Sequence, residues 1–155
     1  MTASTFFDTN VLVYAEDQDE PEKRATALKI LAEHVVADDI VLSAQVLNEF
    51  YVAVRRLKRP LDAARALSAL EQLAAFPVVP VTADLVVAAA AASARYQVSH
   101  WDALILETAR AAGCTVVLSE DLNDAQDYGG VQVENPFKSA RRSRPRRESV
   151  ESDKP

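Results

Sequence analysis

Four acidic residues occupy positions from which their carboxylates could bind a metal ion together. They come from distant parts of the chain: Asp8, Glu49, Asp102 and Asp121. Crowded carboxylates repel one another and take up protons, and a hard divalent cation such as Mg²⁺ or Mn²⁺ removes that penalty because it prefers oxygen ligands. A water bound to such a cation becomes acidic enough to attack a phosphodiester. These residue types therefore predict a metal site, provided that the fold brings them together.

Each acid also has an ordinary structural interpretation. Asp8 could form a turn or cap the next segment, and Asp102 could serve only the helix that Ser99 begins, because acids stabilise the first turn of a helix. Glu49 could be a solvated position on its helix, and Asp121 could be a plain loop residue. The pattern alone leaves both interpretations open.

The elements that must position these acids alternate along the chain. Short apolar runs predict strands, and apolar residues spaced three or four apart predict helices. Alternating strands and helices indicate a parallel sheet with both faces covered, whose functional crevice lies at the carboxyl ends of the strands. All four acids fall at that edge. Strands are predicted at residues 5–7, 40–43, 78–81, 115–119 and 131–133, and helices at 22–36, 44–57, 61–75, 83–95 and 100–112.

Composition indicates one domain of about 137 residues in a chain of 155, with 49% apolar residues. No apolar run is long enough to span a bilayer, and the N-terminus has no signal-peptide pattern. A single cysteine, Cys114, cannot form an internal disulfide and lies in an apolar context. These features predict a cytoplasmic protein without a membrane partner.

Charge divides the chain into two parts. Residues 1–137 contain 10 Lys and Arg against 20 Asp and Glu, a net charge of −10. Residues 138–155 contain seven basic and three acidic residues, a net charge of +4, and almost nothing apolar. This second part is predicted to be a disordered basic tail, which could contact RNA phosphates or be dispensable.

Three further residues have two interpretations each. Arg55 and Arg56 follow the helix of Glu49 and could hold the substrate backbone, or could simply be cations favoured at a helix C-terminus. Trp101 could stack on a base, but an isolated Trp beside a helix start is more often packed into the core, and we therefore predict it to be buried.

At the acidic residues the sequence resembles the PIN-domain family, and within it the toxins of VapBC-type toxin–antitoxin pairs. The resemblance covers about residues 5–137, with the motifs in family-like order. No single acid is specific, but the ordered set is. The motifs are FDTNVLVY at 7–14, SAQVLNEF at 43–50, SHWDALI at 99–105, LSEDLN at 118–123 and GVQVENPF at 130–137.

The resemblance implies a three-layer α/β/α sandwich with a short central parallel sheet. It implies a Mg²⁺- or Mn²⁺-dependent endoribonuclease with a cognate antitoxin, in a family whose members often form homodimers. The four acids would be its metal-binding and catalytic cluster, and Asn10 and Ser119 would orient them by hydrogen bonds. Where relatives often carry His-Gly this chain has Asp124-Ala125, and Asp124 could be an extra ligand or have no role.

Other functions remain open at this stage. A non-catalytic binding module, or a DNA-directed nuclease, could use the same residues, since nothing in the sequence reads the 2′-hydroxyl. A covalent phosphatase with Asp8 as nucleophile is disfavoured because position 10 is Asn and no lysine lies between Lys58 and Lys138.

Overall fold

The computed structural model describes residues 3–138 and shows a five-stranded parallel sheet within a three-layer α/β/α sandwich. The strands are β1 (Thr5–Phe7), β2 (Ile40–Ser43), β3 (Val78–Val79), β4 (Val116–Leu118) and β5 (Gln132–Glu134). The helices are α1 (Thr9–Tyr14), α2 (Pro21–Ala37), α3 (Ala44–Val54), α4 (Ala63–Ala74), α5 (Ala83–Tyr96) and α6 (His100–Ala111). Residues 139–155, nearly all of the predicted basic tail, lie outside the described residues.

The strand order is β3-β2-β1-β4-β5, so β1 and β4 are neighbours at the centre. From β1 the chain proceeds through β2 to β3, and from β3 it crosses back through α5 and α6 to β4, on the other side of β1. Because crossovers between parallel strands are right-handed, the two directions place α1–α4 and α5–α6 on opposite faces of the sheet. The carboxyl ends of β1 and β4 are therefore the topological switch point, where open α/β sheets form their crevices.

Local capping explains where the helices that serve this edge begin. The side chains of Ser43, Thr82 and Ser99 each accept a hydrogen bond from a backbone N–H three residues later, at the starts of α3, α5 and α6. Two of these caps, Ser43 and Ser99, start the helices that carry Glu49 and Asp102. Among residues 3–138, no helix is long and apolar enough to cross a membrane.

The predicted strands all occur, and the differences concern helices and bounds. Helix α1 is absent from the sequence-based prediction, because its six residues are rich in β-branched types and too few to show a period. Pro80 limits β3 to Val78–Val79. Helix α3 ends at Val54, three residues earlier than predicted, where the Leu61 N–H returns to bond the Val54 carbonyl oxygen at 3.0 Å.

Gln97 ends α5 in the left-handed region, with φ 53°, and its side chain is exposed. A side chain with a Cβ is disfavoured there, whereas glycine is not. We expect Gln97→Gly to raise the free energy of unfolding by about 0.5–1 kcal/mol. Urea unfolding would measure it, with Gln97→Ala as the matched control that keeps the Cβ and should give no gain. Equal effects of Gly and Ala would show that the backbone conformation is not the cause.

Candidate metal centre at the carboxyl edge of the sheet

Asp8 lies at the switch point, directly after β1, and its side chain is only 5% exposed. Its backbone N–H donates to the Leu118 carbonyl oxygen of β4 at 3.0 Å, which fixes it between the two central strands. Its Oδ1 accepts from the Thr9 N–H at 2.7 Å and so caps α1. Its Oδ2 accepts from the Ser119 hydroxyl at 2.7 Å. The carboxylate is thus buried and held by donors on both of its oxygens.

Asn10 and Ser119 connect Asp8 to Asp121. The Asn10 Nδ2 lies 3.3 Å from Asp8 Oδ2 and 3.1 Å from Asp121 Oδ2, so one amide donates toward both carboxylates. The Ser119 Oγ, while donating to Asp8, accepts from the Asp121 N–H at 3.1 Å. The Asn10 Oδ1 accepts from the Glu120 N–H at 3.0 Å and pins the loop after β4. Two neutral side chains therefore set the separation of two acids.

Glu49 reaches this edge from α3 and is also held at both oxygens. Its Oε2 accepts from the Thr9 hydroxyl at 2.8 Å, and its Oε1 accepts from Gln45 Nε2 at 3.0 Å. Thr9 follows Asp8 directly, so α1 links the two carboxylates through adjacent residues. Gln45 Nε2 also donates to the Trp101 carbonyl oxygen of α6 at 3.1 Å.

Asp102 lies in the first turn of α6 and directly follows Trp101, whose carbonyl oxygen accepts from Gln45. Burial, followed by the charges of Asp121 and Glu49, raises the pKa of Asp102. Burial, and to a smaller extent the charges of Asp121 and Glu49, raises the pKa of Asp8 to about 6 despite its hydrogen bonds. All four acids thus belong to one electrostatically coupled group at the carboxyl edge of the sheet.

This donor set has the chemistry that Mg²⁺ or Mn²⁺ requires, although it is not a preformed cage. Within residues 3–138, no three His, Cys, Asp or Glu side chains stand close enough to hold an ion directly. Mg²⁺ typically takes only one or two carboxylates and keeps several waters, so it needs no such cage. A cation beside Asp8 would also stabilise its ionised form, which burial and, to a smaller extent, the neighbouring charges disfavour. The residues therefore fit a hydrated divalent cation.

Glu120, between Ser119 and Asp121, directs its carboxylate away from the cluster, toward α1 and α2. Its carboxylate forms a salt bridge with Lys23 and accepts from the Tyr14 hydroxyl at 2.6 Å. The alternation of side chains after β4 thus sends one acid toward the cluster and one toward a lysine on α2.

Three sequence-based candidates are not brought into this network. Asp124 accepts from the Asn135 N–H at 2.8 Å and from Lys138 Nζ at 3.1 Å, contacts that lower its pKa and tie down the end of the domain. Arg55 and Arg56 lie just past the end of α3, and the Arg55 guanidinium donates to the Leu61 carbonyl oxygen at 3.0 Å.

The prediction that Trp101 is buried is wrong, because its side chain is 64% exposed. The buried residues of α6 run without a break from Ala103 to Ala109, and Trp101 precedes them in the first turn of the helix. Sequence reasoning also missed Thr9 and Gln45. A signal for Gln45 was present, since it precedes Glu49 by four residues, a spacing that puts the two on one face of a helix.

The fold and this edge define a class of protein: a parallel α/β/α sandwich with an acidic cluster at the switch point of its sheet. A family model for the PIN domain matches residues 5–129, and the chain belongs to the PIN-domain family. A comparison with curated proteins gives no match.

Solved structures with the same fold come from toxin–antitoxin systems. A FitAB complex bound to an IR36 DNA fragment is 21% identical with a TM-score of 0.64, covering 86% of this chain and 95% of the other. The Mycobacterium tuberculosis toxin VapC20, described as cleaving the sarcin–ricin loop, is 24% identical with a TM-score of 0.63, covering 76% and 90%. A Klebsiella pneumoniae toxin–antitoxin complex is 20% identical with a TM-score of 0.63, covering 86% and 98%.

The raised pKa of Asp8 gives stability a definite pH dependence. Its folded value of about 6 exceeds the ordinary value of 3.8, so folding favours the protonated form. The stabilisation is complete below the ordinary value and is lost as the pH rises through the folded value. Without metal, we expect the contribution of Asp8 to the free energy of unfolding to fall by about 2–3 kcal/mol as the pH rises from about 4 to about 8.

Asp8→Asn should remove this part of the slope, as measured by urea unfolding of both proteins in EDTA. Asp124→Asn is the matched control, because the lowered pKa of Asp124 gives a slope of the opposite sign. The same slope in wild type and Asp8→Asn would contradict the burial argument.

Proposed function

We propose that the protein is a Mg²⁺- or Mn²⁺-dependent endoribonuclease, and that Asp8, Glu49, Asp102 and Asp121 are its metal-binding and catalytic residues. The observation that carries the proposal is the coupling of four acids from four segments around a buried carboxylate at the switch point. Membership of the PIN-domain family supports it. A structural neighbour described as cleaving the sarcin–ricin loop supports RNA as the substrate.

When bound, the metal would supply an acidified water and neutralise the developing charge on a phosphodiester. The chain's own side chains orient the carboxylates. Asn10 and Ser119 hold Asp8 and Asp121 at a fixed separation, and Thr9 and Gln45 hold Glu49 against α1 and α6. Such positioning lowers the barrier because the acids need not reorganise when the substrate arrives.

We also propose that a cognate antitoxin controls this activity, in the cytoplasm where the RNA would be. Several solved neighbours are toxin–antitoxin complexes, including those from Klebsiella pneumoniae and Salmonella typhimurium. A homodimer is a further proposal, tested by the mass of the purified protein in solution.

The first test is incubation of antitoxin-free protein with total cellular RNA, with Mg²⁺ or Mn²⁺ in one half and EDTA in the other. We expect discrete fragments only with metal, and none from Asp8→Asn or Asp121→Asn. Asp124→Asn, on the same loop as Asp121 but bonded to Asn135 and Lys138, is the matched control and should cut normally. Intact RNA in every lane would favour a binding module, and cleavage of DNA alone would favour a DNA-directed nuclease.

A second test concerns Ser119, which donates to Asp8 and accepts from the Asp121 N–H. Ser119→Ala removes both bonds, and we expect metal-dependent cleavage to fall about 10- to 100-fold. The concentration of Mg²⁺ needed for half-maximal cleavage should rise as well. A loss of activity that tracks only a loss of folded protein, measured by circular dichroism, would show that Ser119 acts on stability alone.

A further inference from the structure

We propose that Trp101 is a base-stacking residue that binds one nucleotide of the RNA beside the acidic cluster. This inference rests on the proposed function and names a residue that positions its substrate. An exposed apolar side chain is ordinary in itself. Here its position carries the argument, because Trp101 directly precedes Asp102 and its carbonyl oxygen shares the Gln45 amide with Glu49.

The backbone of Trp101 is fixed while its side chain is free to meet a ligand. Gln45 Nε2 bonds its carbonyl oxygen at 3.1 Å and bonds Glu49 Oε1 at 3.0 Å, so one amide ties the Trp backbone to the acidic cluster. The Ser99 cap fixes the start of α6. The indole itself remains 64% exposed. Because the Trp101 backbone is already fixed, binding of a ligand to the exposed ring would cost little conformational entropy.

The rings of His100 and Trp101 contact each other while the indole keeps most of its surface exposed. The two ring centroids lie 5.7 Å apart with an interplanar angle of 72°, an edge-to-face arrangement. A nucleobase could stack on the indole as a flat partner. Stacking of this kind requires an unpaired base, because the faces of paired bases are covered by their neighbours in the duplex.

The charge of the domain favours an uncharged contact with RNA. Residues 1–137 carry a net charge of −10, which repels the phosphate backbone. Attraction by a basic surface, the usual source of RNA affinity, is therefore weak for this part of the chain. Stacking does not depend on charge, and it would add affinity beside the metal-binding acids without altering their field.

The sequence contains one Trp, so intrinsic fluorescence reports on this residue directly. The full chain carrying Asp8→Asn would be titrated in Mg²⁺, so that RNA is not cut during the measurement. The probes are a 12-nucleotide oligoadenylate and the duplex that it forms with oligouridylate. We expect saturable quenching by the single strand and little by the duplex. No quenching, or equal quenching by both, would overturn the proposal.

Variants separate stacking from other roles. Binding of labelled oligoadenylate, followed by fluorescence polarisation, should weaken about 5- to 150-fold in Trp101→Ala and Trp101→Leu. Trp101→Phe should keep most of the affinity, because it keeps an aromatic face. Val87→Ala, which removes another exposed apolar side chain, is the matched control and should bind normally. Normal binding by Trp101→Leu, or a change in oligomeric state with RNA affinity intact, would assign the residue to a protein contact.

The binding measurement also keeps this proposal distinct from the nuclease proposal. Quenching of the Asp8→Asn protein by single-stranded RNA, together with a wild-type protein that cuts no RNA with metal present, would support stacking and contradict the ribonuclease proposal. Metal-dependent cutting that Trp101→Ala leaves unchanged would do the reverse.

Discussion

Burial of the Asp8 carboxylate between the two halves of the sheet is the constraint on which this edge of the molecule depends. A carboxylate removed from water is costly unless donors compensate it. Here the Thr9 N–H and the Ser119 hydroxyl supply them, one from each side of the switch point. The compensation is incomplete, as the raised pKa of Asp8 shows. A cation bound beside Asp8 would offset the remaining cost of ionising its carboxylate. The fold therefore favours binding of positive charge at this point.

Gln45 also positions the acidic cluster at a cost to the stability of the fold. Its Nε2 serves two acceptors, while its buried Oε1 has no hydrogen-bond partner among the described residues. An unsatisfied buried polar atom costs about 1–3 kcal/mol. An apolar side chain of similar size would avoid that cost, but it would release Glu49 from α6. The amide thus maintains the spacing between carboxylates on two helices that pack on opposite faces of the sheet.

The sequence predicts those parts of the structure that depend on local pattern. The strands follow from short apolar runs, and the start of α6 follows from Ser99 and Asp102 three residues apart. Parallel pairing then brings distant acids to one edge. Helix α1 could not be predicted, because its six residues are too few to show a helical period and its formation depends on burial of Val11 and Leu12, which is a tertiary effect.

The same limit applies to individual side chains. Trp101 precedes Leu104 and Ile105 by three and four residues, so the helical pattern predicts that it shares their buried face. Its place in the first turn of α6, before the buried residues begin, leaves it exposed instead. The partners of Asp124 lie 11 and 14 residues further along the chain, beyond the range of any local pattern. Local signals therefore place the acids at the edge, but they do not assign the contacts that separate Asp121 from Asp124.

The acidity of residues 1–137 is compatible with an RNA substrate once long-range and local effects are separated. A net charge of −10 concentrates cations near the surface and repels free phosphate groups. Glu120 is paired with Lys23, whereas no salt bridge among residues 3–138 includes an acid of the cluster around Asp8 and Asp121. A phosphodiester can approach that cluster only together with a cation, which couples substrate binding to metal binding. The same repulsion disfavours binding of polyanions whose only contacts would be through phosphate groups. Recognition of RNA therefore depends on uncharged contacts with the bases.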